Sequence, residues 1–331
     1  MFKNKSILIT GGTGSFGKEF IKIILKRFKN FKKLVIFSRD ELKQSLLKEL
    51  YPENKYPFIR FYLGDIRDYQ RLVRALDGID IVIHTAALKQ VPTAEVDPLE
   101  YIQTNILGSQ NIIEACIENN VNNIVALSTD KAASPINLYG ATKLCSDKLF
   151  SAANNIIGKR KMKFSIVRYG NVFGSRGSVV PYFLELKKNN KSFPITDKNM
   201  SRFSLTLKES VETVLWTIKN SFGGEIIVPK IPSYRILDLV KAIDAKANLN
   251  FTGIRAGEKI FEEMITTHDS YMTYDLGKYY TILNPSNTKL LNHYKNKKKV
   301  KLGMSYNSKD NDIFLSVDEI KKLIFEYSTK N

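Results

Sequence analysis

Two cysteines, one tryptophan and three histidines are all that 331 residues hold of these types. So little cysteine excludes a disulfide framework, and Cys116 and Cys145 stand too far apart for a paired metal-binding motif. They read as buried thiols of a reducing compartment, which sets the expectation of a cytoplasmic location. His84, His268 and His293 share no chelating spacing, so no metal site is expected. Long apolar runs are absent as well: none approaches the ~18 residues of a membrane-spanning helix, and no membrane association is expected. The N-terminal Met-Phe-Lys-Asn-Lys leads straight into a strand-like Ile7-Leu8-Ile9, too short for the core of a signal peptide. Acidic residues number 33 against 51 lysines and arginines, a net charge of +18. The lysines are scattered, apart from one dense run at 295–301, and no nucleic-acid motif accompanies them, so nucleic acid is not an expected partner. A basic balance instead suits a small anionic substrate, whose encounter it accelerates.

Hydrophobic residues make up 43% of the chain, enough for a large core. Short β-branched apolar runs at 6–10, 34–37, 58–63, 81–85, 124–128 and 164–169 alternate with helix-period stretches such as 16–27 and 99–119. That alternation predicts an α/β fold, a doubly wound parallel sheet of Rossmann type. Beyond Asn171 it fades into loops, short strands and helices, including 237–247 and 317–327. The expected division is a nucleotide-binding domain at 1–170 and a smaller α/β substrate-binding domain at 171–331, with some later segments returning to the first.

Directly after the first strand comes Gly11-Gly12-Thr13-Gly14-Ser15-Phe16-Gly17, opening into a helix. Glycines permit the tight turn and the close approach of a pyrophosphate, and the helix N-terminus supplies N–H groups and partial positive charge. Strand before and helix after predict a dinucleotide site. The second strand ends Phe37-Ser38-Arg39-Asp40. A carboxylate there holds a ribose 2′-hydroxyl and an arginine a 2′-phosphate. Arg39 in the earlier position points to NADP; Asp40 keeps NAD open, and either side chain can instead cap the next helix. Gly64-Asp65-Ile66 follows the third strand, where a carboxylate and backbone can meet the adenine. Ala86 and Ala87 follow the fourth and allow close approach. Thr104 and Asn105 lie in a long helix pattern, where the Asn reads as a kink residue rather than a catalyst.

The remaining chemistry centres on Ser128-Thr129-Asp130-Lys131, at the end of the fifth strand, and Tyr139-Gly-Ala-Thr-Lys143. Strand ends in such sheets face the ligand. Tyr139 and Lys143 share a helix face, and a nearby ammonium favours the phenolate.

With these pieces the chain resembles the extended short-chain dehydrogenase/reductase family. It is most similar to the branch of inverting UDP-N-acetylglucosamine 4,6-dehydratases that open pseudaminic-acid synthesis. The most specific runs are 38–44, 87–92, 127–139, 168–171, 174–181, 194–197 and 255–259. Retaining sugar-nucleotide dehydratases carry Asp-Glu after the Thr, whereas this chain has Asp130-Lys131.

The resemblance implies that Tyr139 takes the 4-hydroxyl proton and that Thr129 holds the 4-oxygen. A desolvated, neutral Lys131 removes the C5 proton, Asp130 protonates the departing 6-hydroxyl, and Lys143 supports Tyr139. The product would be UDP-2-acetamido-2,6-dideoxy-beta-L-arabino-hex-4-ulose. It extends the NADP set to Lys43 and Lys89, and places Lys89, Asn171, Val179, Val180, Thr196 and Arg202 against the sugar and uridine. Arg255 and Glu258 are assigned to the diphosphate and ribose. A homo-oligomer, often a hexamer, is implied. The chain departs from the branch at Gln90, Ser204 and Phe261, where His, Trp and His are commoner. Two other readings stay open: a related capsule or O-antigen dehydratase-epimerase, and a catalytically silent NADP-binding protein of the same fold.

Overall fold

The computed structural model describes residues 1–175 and 177–329. Arg176, within the 174–181 run, lies outside the described residues.

The first half alternates strands and helices as its apolar runs predict. In order these are β1 (Ser6–Thr10), α1 (Ser15–Arg27), β2 (Lys33–Ser38), α2 (Glu41–Leu50), β3 (Ile59–Leu63), α3 (Tyr69–Leu76) and β4 (Ile81–His84). Then follow α4 (Val91–Val96), α5 (Pro98–Tyr101), a π-helical segment (Ile102–Leu107), α6 (Gly108–Glu118), β5 (Asn123–Thr129), α7 (Leu138–Ala153) and β6 (Lys163–Tyr169). The second half comprises α8 (Val179–Lys188), β7 (Phe193–Ile195), β8 (Ser201–Phe203), α9 (Leu207–Asn220), β9 (Ile226–Pro229), β10 (Ser233–Arg235), α10 (Ile236–Ile243) and β11 (Leu249–Phe251). It closes with β12 (Glu263–Ile265), β13 (Thr273–Asp275), β14 (Tyr279–Ile282), α11 (Thr288–Tyr294), β15 (Lys298–Lys299), β16 (Tyr306–Asn307) and α12 (Val317–Ser328).

A ten-stranded sheet in the order β15-β13-β14-β9-β6-β5-β4-β1-β2-β3 forms the centre. From β3 to β9 every neighbouring pair is parallel. This is the doubly wound Rossmann-type arrangement, with order reversing between β1 and β4. Strands such as β1 and β4 are buried along their whole length, which is why they are continuous apolar runs rather than alternating ones. Helices register on the sheet through side-chain caps: Asp40 accepts from Lys43 N–H, Asp68 from Arg71 N–H and Asn137 from Gly140 N–H.

The sequence at 99–119 predicts one helix, but the structure breaks it. The π-helical segment carries Asn105, whose Oδ1 accepts from Leu88 N–H and whose Nδ2 donates to Leu88 O and Thr142 Oγ1. The extra residue in this turn delivers a buried amide that ties the loop after β4 to α7. Cys145 is also a correction: it is exposed on α7, while Cys116 is buried. A 3.6-residue period leaves one position in each turn of α7 facing outward.

Beyond β6 the sheet gains β9 in parallel and then β14, β13 and β15 antiparallel, all from residues after 225. A second core brings together Phe183 and Leu186 of α8, Phe193 and Ile195 of β7, Leu239 and Val240 of α10, and Ile320 of α12. It stands over the C-terminal ends of the parallel strands, and a cleft runs between. Among the described residues no helix is long and apolar enough to cross a membrane.

Candidate active site

At the switch point the loop after β4 is stitched to β1: Thr85 and Ala86 donate N–H to Thr10 Oγ1, and Thr85 Oγ1 donates to Thr10 O at 2.6 Å. Helix α1 begins beside this seam. Its N-cap is Gly14, with no side-chain cap and no acidic residue in the first turn, so the helix end is left for an anion. Gly17 lets α1 sit down on the loop, since a Cβ there would lie 2.3 Å from Gly12 O.

A cavity of about 740 Å³ extends from this loop. Gly11, Thr13, Gly14, Ser15, Phe16 and Gly17 form one end, with Ser38, Arg39, Asp40 and Lys43 beside them. Asp65, Ile66, Ala86, Ala87, Lys89 and Thr104 continue the wall, and Thr129, Tyr139 and Lys143 lie at the far end. Every position assigned to the dinucleotide therefore faces one cavity, long and glycine-floored as a dinucleotide requires. At the β2 end, Asp40 is spent as the cap of α2 and is paired with Lys43. Arg39 stays half-exposed on the rim, 3.3 Å from Asp65 Oδ2. The capping role left open for either residue falls to Asp40. Thr104 Oγ1 is buried with no hydrogen-bond partner among the described residues.

A second cavity, about 370 Å³, adjoins the first and shares Lys89, Gln90, Lys131 and Asn171 with it. Val179, Thr196, Arg202, Arg255 and Glu258 line it, as expected for a substrate pocket. Val180 does not: it is 1% exposed and belongs to the second core, because adjacent positions on α8 point to different sides. Arg202 donates to the carbonyl oxygens of Ser201, Lys259 and Ile260, so its guanidinium is largely committed to holding this loop. Gln90 lines both cavities, Ser204 is buried, and Phe261 is partly exposed beneath Lys309.

Where the cavities meet, β5 ends in a short 3₁₀ turn (Asp130–Ala132). Helix α7 packs on it so closely that a Cβ on Gly140 would lie 2.3 Å from Lys131 O, which brings Tyr139 beside Thr129 and Lys131. Lys131 Nζ is 3.1 Å from Asp130 Oδ1 and 2.9 Å from Glu262 Oε1. Burial works to lower the Lys131 pKa, but the charges of Asp130 and Glu262 outweigh it and hold the ammonium above its ordinary value. The two carboxylates thus favour the ammonium form of Lys131, so the neutral amine that the resemblance implies has to arise by loss of a proton. Glu262, 2% exposed, went unread in the sequence, although it follows the 255–259 run by only three positions.

Asp130 lines neither cavity. Its Oδ1 accepts from Thr129 Oγ1 and Lys131, while Oδ2 is buried without a partner among the described residues. Burial raises its pKa against the opposing pull of Lys131. Tyr139 is held up to about 12 by burial, with Lys131 and a hydrogen bond to Thr129 pulling the other way. The expected help from Lys143 is not seen: its Nζ donates to Leu127 O at 2.7 Å, and burial lowers its pKa. Behind the site His84 is buried against Phe150, with Nδ1 2.9 Å from Thr10 Oγ1.

Residues 7–284 match the family described as polysaccharide biosynthesis protein. The chain belongs to that family. The chain is 48% identical, over 98% of both chains, to the inverting UDP-N-acetylglucosamine 4,6-dehydratase of Campylobacter jejuni. It is 41% identical, over 98% of this chain and 96% of the other, to a UDP-glucose 4-epimerase of Rickettsia bellii. In structure it is similar to Pen from Bacillus thuringiensis, with a TM-score of 0.89 and 36% identity over 99% of both chains.

Proposed function

We propose that this protein is a dehydratase of UDP-N-acetylglucosamine that eliminates water across C5 and C6 and inverts C5, using NADP. The observation that carries the reading is the Asp130–Lys131 pair beside Tyr139 at the junction of the two cavities. Exchange of configuration at C4 alone needs no base at C5 and no acid at the 6-oxygen. A buried carboxyl whose pKa is raised and an amine facing the substrate cavity supply both. The likeness to the Campylobacter dehydratase agrees with this; the epimerase relative is less similar.

The dinucleotide, when bound, supplies a hydride acceptor for C4 and a donor for C6. The glycine loop and the end of α1 would hold its pyrophosphate, and Arg39 its 2′-phosphate, since Asp40 is engaged in capping α2. Thr129 and Tyr139 present adjoining hydroxyls to the 4-oxygen. With its phenol held near 12, Tyr139 is protonated at neutral pH and becomes a base only when a further positive charge enters the cleft. Once C4 is a ketone, the C5 hydrogen is acidic. Lys131 passes its own proton to the Asp130 carboxylate 3.1 Å away and, as the free amine, takes the C5 hydrogen as a proton. The proton on Asp130, which lines neither cavity, leaves through the hydroxyl of Thr129 to the 6-oxygen as water departs. Lys89, Asn171 and Arg255 line the pocket as donors for the sugar and diphosphate.

Incubation of the protein with UDP-N-acetylglucosamine tests the reading. The expected product has lost one water, has inverted C5 and, when formed in D2O, carries deuterium at C5. Formation of UDP-N-acetylgalactosamine without loss of water would replace the dehydratase with an epimerase.

A further inference from the structure

Glu262 reaches the catalytic turn from more than a hundred residues away. Its backbone is pinned at both ends: its N–H donates to Ser308 Oγ at 3.0 Å, and its carbonyl accepts from Ser308 N–H at 2.8 Å. The side chain lines the second cavity with Oε1 2.9 Å from Lys131 Nζ and 3.8 Å from Arg202 Nε. Oε2 is buried with no hydrogen-bond partner among the described residues. The carboxylate is therefore fixed by the main chain and directed at the lysine, rather than saturated by its own surroundings.

We infer that Glu262 is a positioning residue for Lys131: it holds Nζ where the two cavities meet, and its charge sets the pH at which Lys131 yields the free amine. The inference rests on the proposed dehydration, in which that amine is the base at C5. The other groups facing the pair are Asp130 on the same turn, Arg202 from β8, Tyr139 from α7, Tyr234 from β10, and Glu258, Lys259 and Glu263 around Glu262 itself. Burial holds the Tyr139 and Tyr234 phenols protonated, and Lys259 Nζ donates to Ala133 O. Neutralising Glu262 leaves Lys131 with Asp130 as its near counter-charge and with the repulsion of Arg202. The ammonium is then less favoured, so Lys131 titrates at lower pH.

The side chain of Lys131 is 22% exposed, so a small reagent reaches it. Competitive acetylation with trace acetic anhydride over a pH series, read at Lys131 by mass spectrometry, titrates the amine without turnover. In Glu262→Gln the midpoint is expected to fall by about one pH unit or more, the scale of an opposite charge at this range. The acid limb of kcat/KM for UDP-N-acetylglucosamine is expected to move with it. Glu262→Asp keeps the charge but withdraws it, placing both readings between the Gln variant and the unmodified protein, and it carries the test if the Gln variant does not fold. An unmoved midpoint, with a rate lowered equally at every pH, would overturn the inference and leave Glu262 a packing residue. Absence of turnover in the unmodified protein would overturn the proposed function, and the acetylation midpoint would still decide the claim about Glu262.

Discussion

Asp130 and Lys131 are neighbours in sequence and lie 3.1 Å apart as an ion pair, yet one side chain is 1% exposed and the other 22%. The 3₁₀ turn after β5 separates them: the carboxyl is carried into the protein and the amine toward the ligand cavities. In the proposed elimination this division leaves the amine within reach of substrate and the carboxyl beside it to exchange protons.

Lys131→Met is expected to abolish dehydration, a loss of about 10²–10⁴-fold for a general base, while leaving dinucleotide affinity unchanged. It also strands Asp130 without its cation, whereas Glu262 keeps Arg202 and Lys259. The folded pKa of Asp130, already raised by burial, then stands further above the unfolded one, so the folded state binds more protons and stability falls as pH rises through that window. Thermal melts of the variant should show a larger deficit at pH 8 than at pH 5. Retention of most activity would place the base elsewhere.

Arg39→Ala tests the choice of dinucleotide. The unmodified protein should bind NADP more tightly than NAD, and the variant should lose that preference by roughly ten-fold or more, the worth of one charge-assisted contact. Calorimetric titration with both dinucleotides measures it. Equal affinity in the unmodified protein would remove the preference for NADP.

Gly17→Ala should abolish dinucleotide binding or folding, because the new methyl would meet main-chain atoms of Gly12 at 2.3–2.5 Å and neither backbone can retreat. Gly78→Ala provides the control. Nothing lies within 4 Å of a Cβ there, and the cost is backbone strain at φ +65° alone, on the order of 1 kcal/mol. Urea unfolding of the two variants separates steric exclusion from loss of conformational freedom.

His84 carries a pH dependence into the core. Burial, reinforced by Lys143, lowers its pKa to about 3 from the ordinary 6.5. Between those values the unfolded chain binds a proton that the folded state refuses, so stability is lost as pH falls below about 6.5, by up to roughly 1.4 kcal/mol per pH unit. His84→Asn, which retains a polar partner for Thr10, should flatten this slope in chemical unfolding measured between pH 7 and 5. An unchanged slope would assign the acid sensitivity to other groups.

The parallel half of the sheet was legible in the sequence because strands buried on both faces become uninterrupted β-branched runs, as in Ile7-Leu8-Ile9 and Ile81-Val82-Ile83. The glycine loop and the Thr129–Asp130–Lys131 turn were legible because each directly follows such a strand. The short strands β9, β13, β14 and β15 were not placed: a few residues carry too little periodicity to name a partner. Val180 was misassigned because one step along a helix changes which side a residue faces. Asn105 was legible as a kink residue, but not the partners of its amide, which lie in other segments at Leu88 and Thr142.

The sequence by itself determined the order in which strands and helices follow one another and the glycine loop and Thr129–Lys131 turn that they carry. Only the tertiary structure decided the charge states of Asp130 and Lys131. The ammonium of Lys131 is favoured by Asp130 beside it and by Glu262, which arrives from a distant segment to stand 2.9 Å away, while burial raises the pKa of Asp130 against the pull of Lys131. Local pattern records what each segment must bury, whereas protonation depends on which charges and how much water the finished fold leaves around a group.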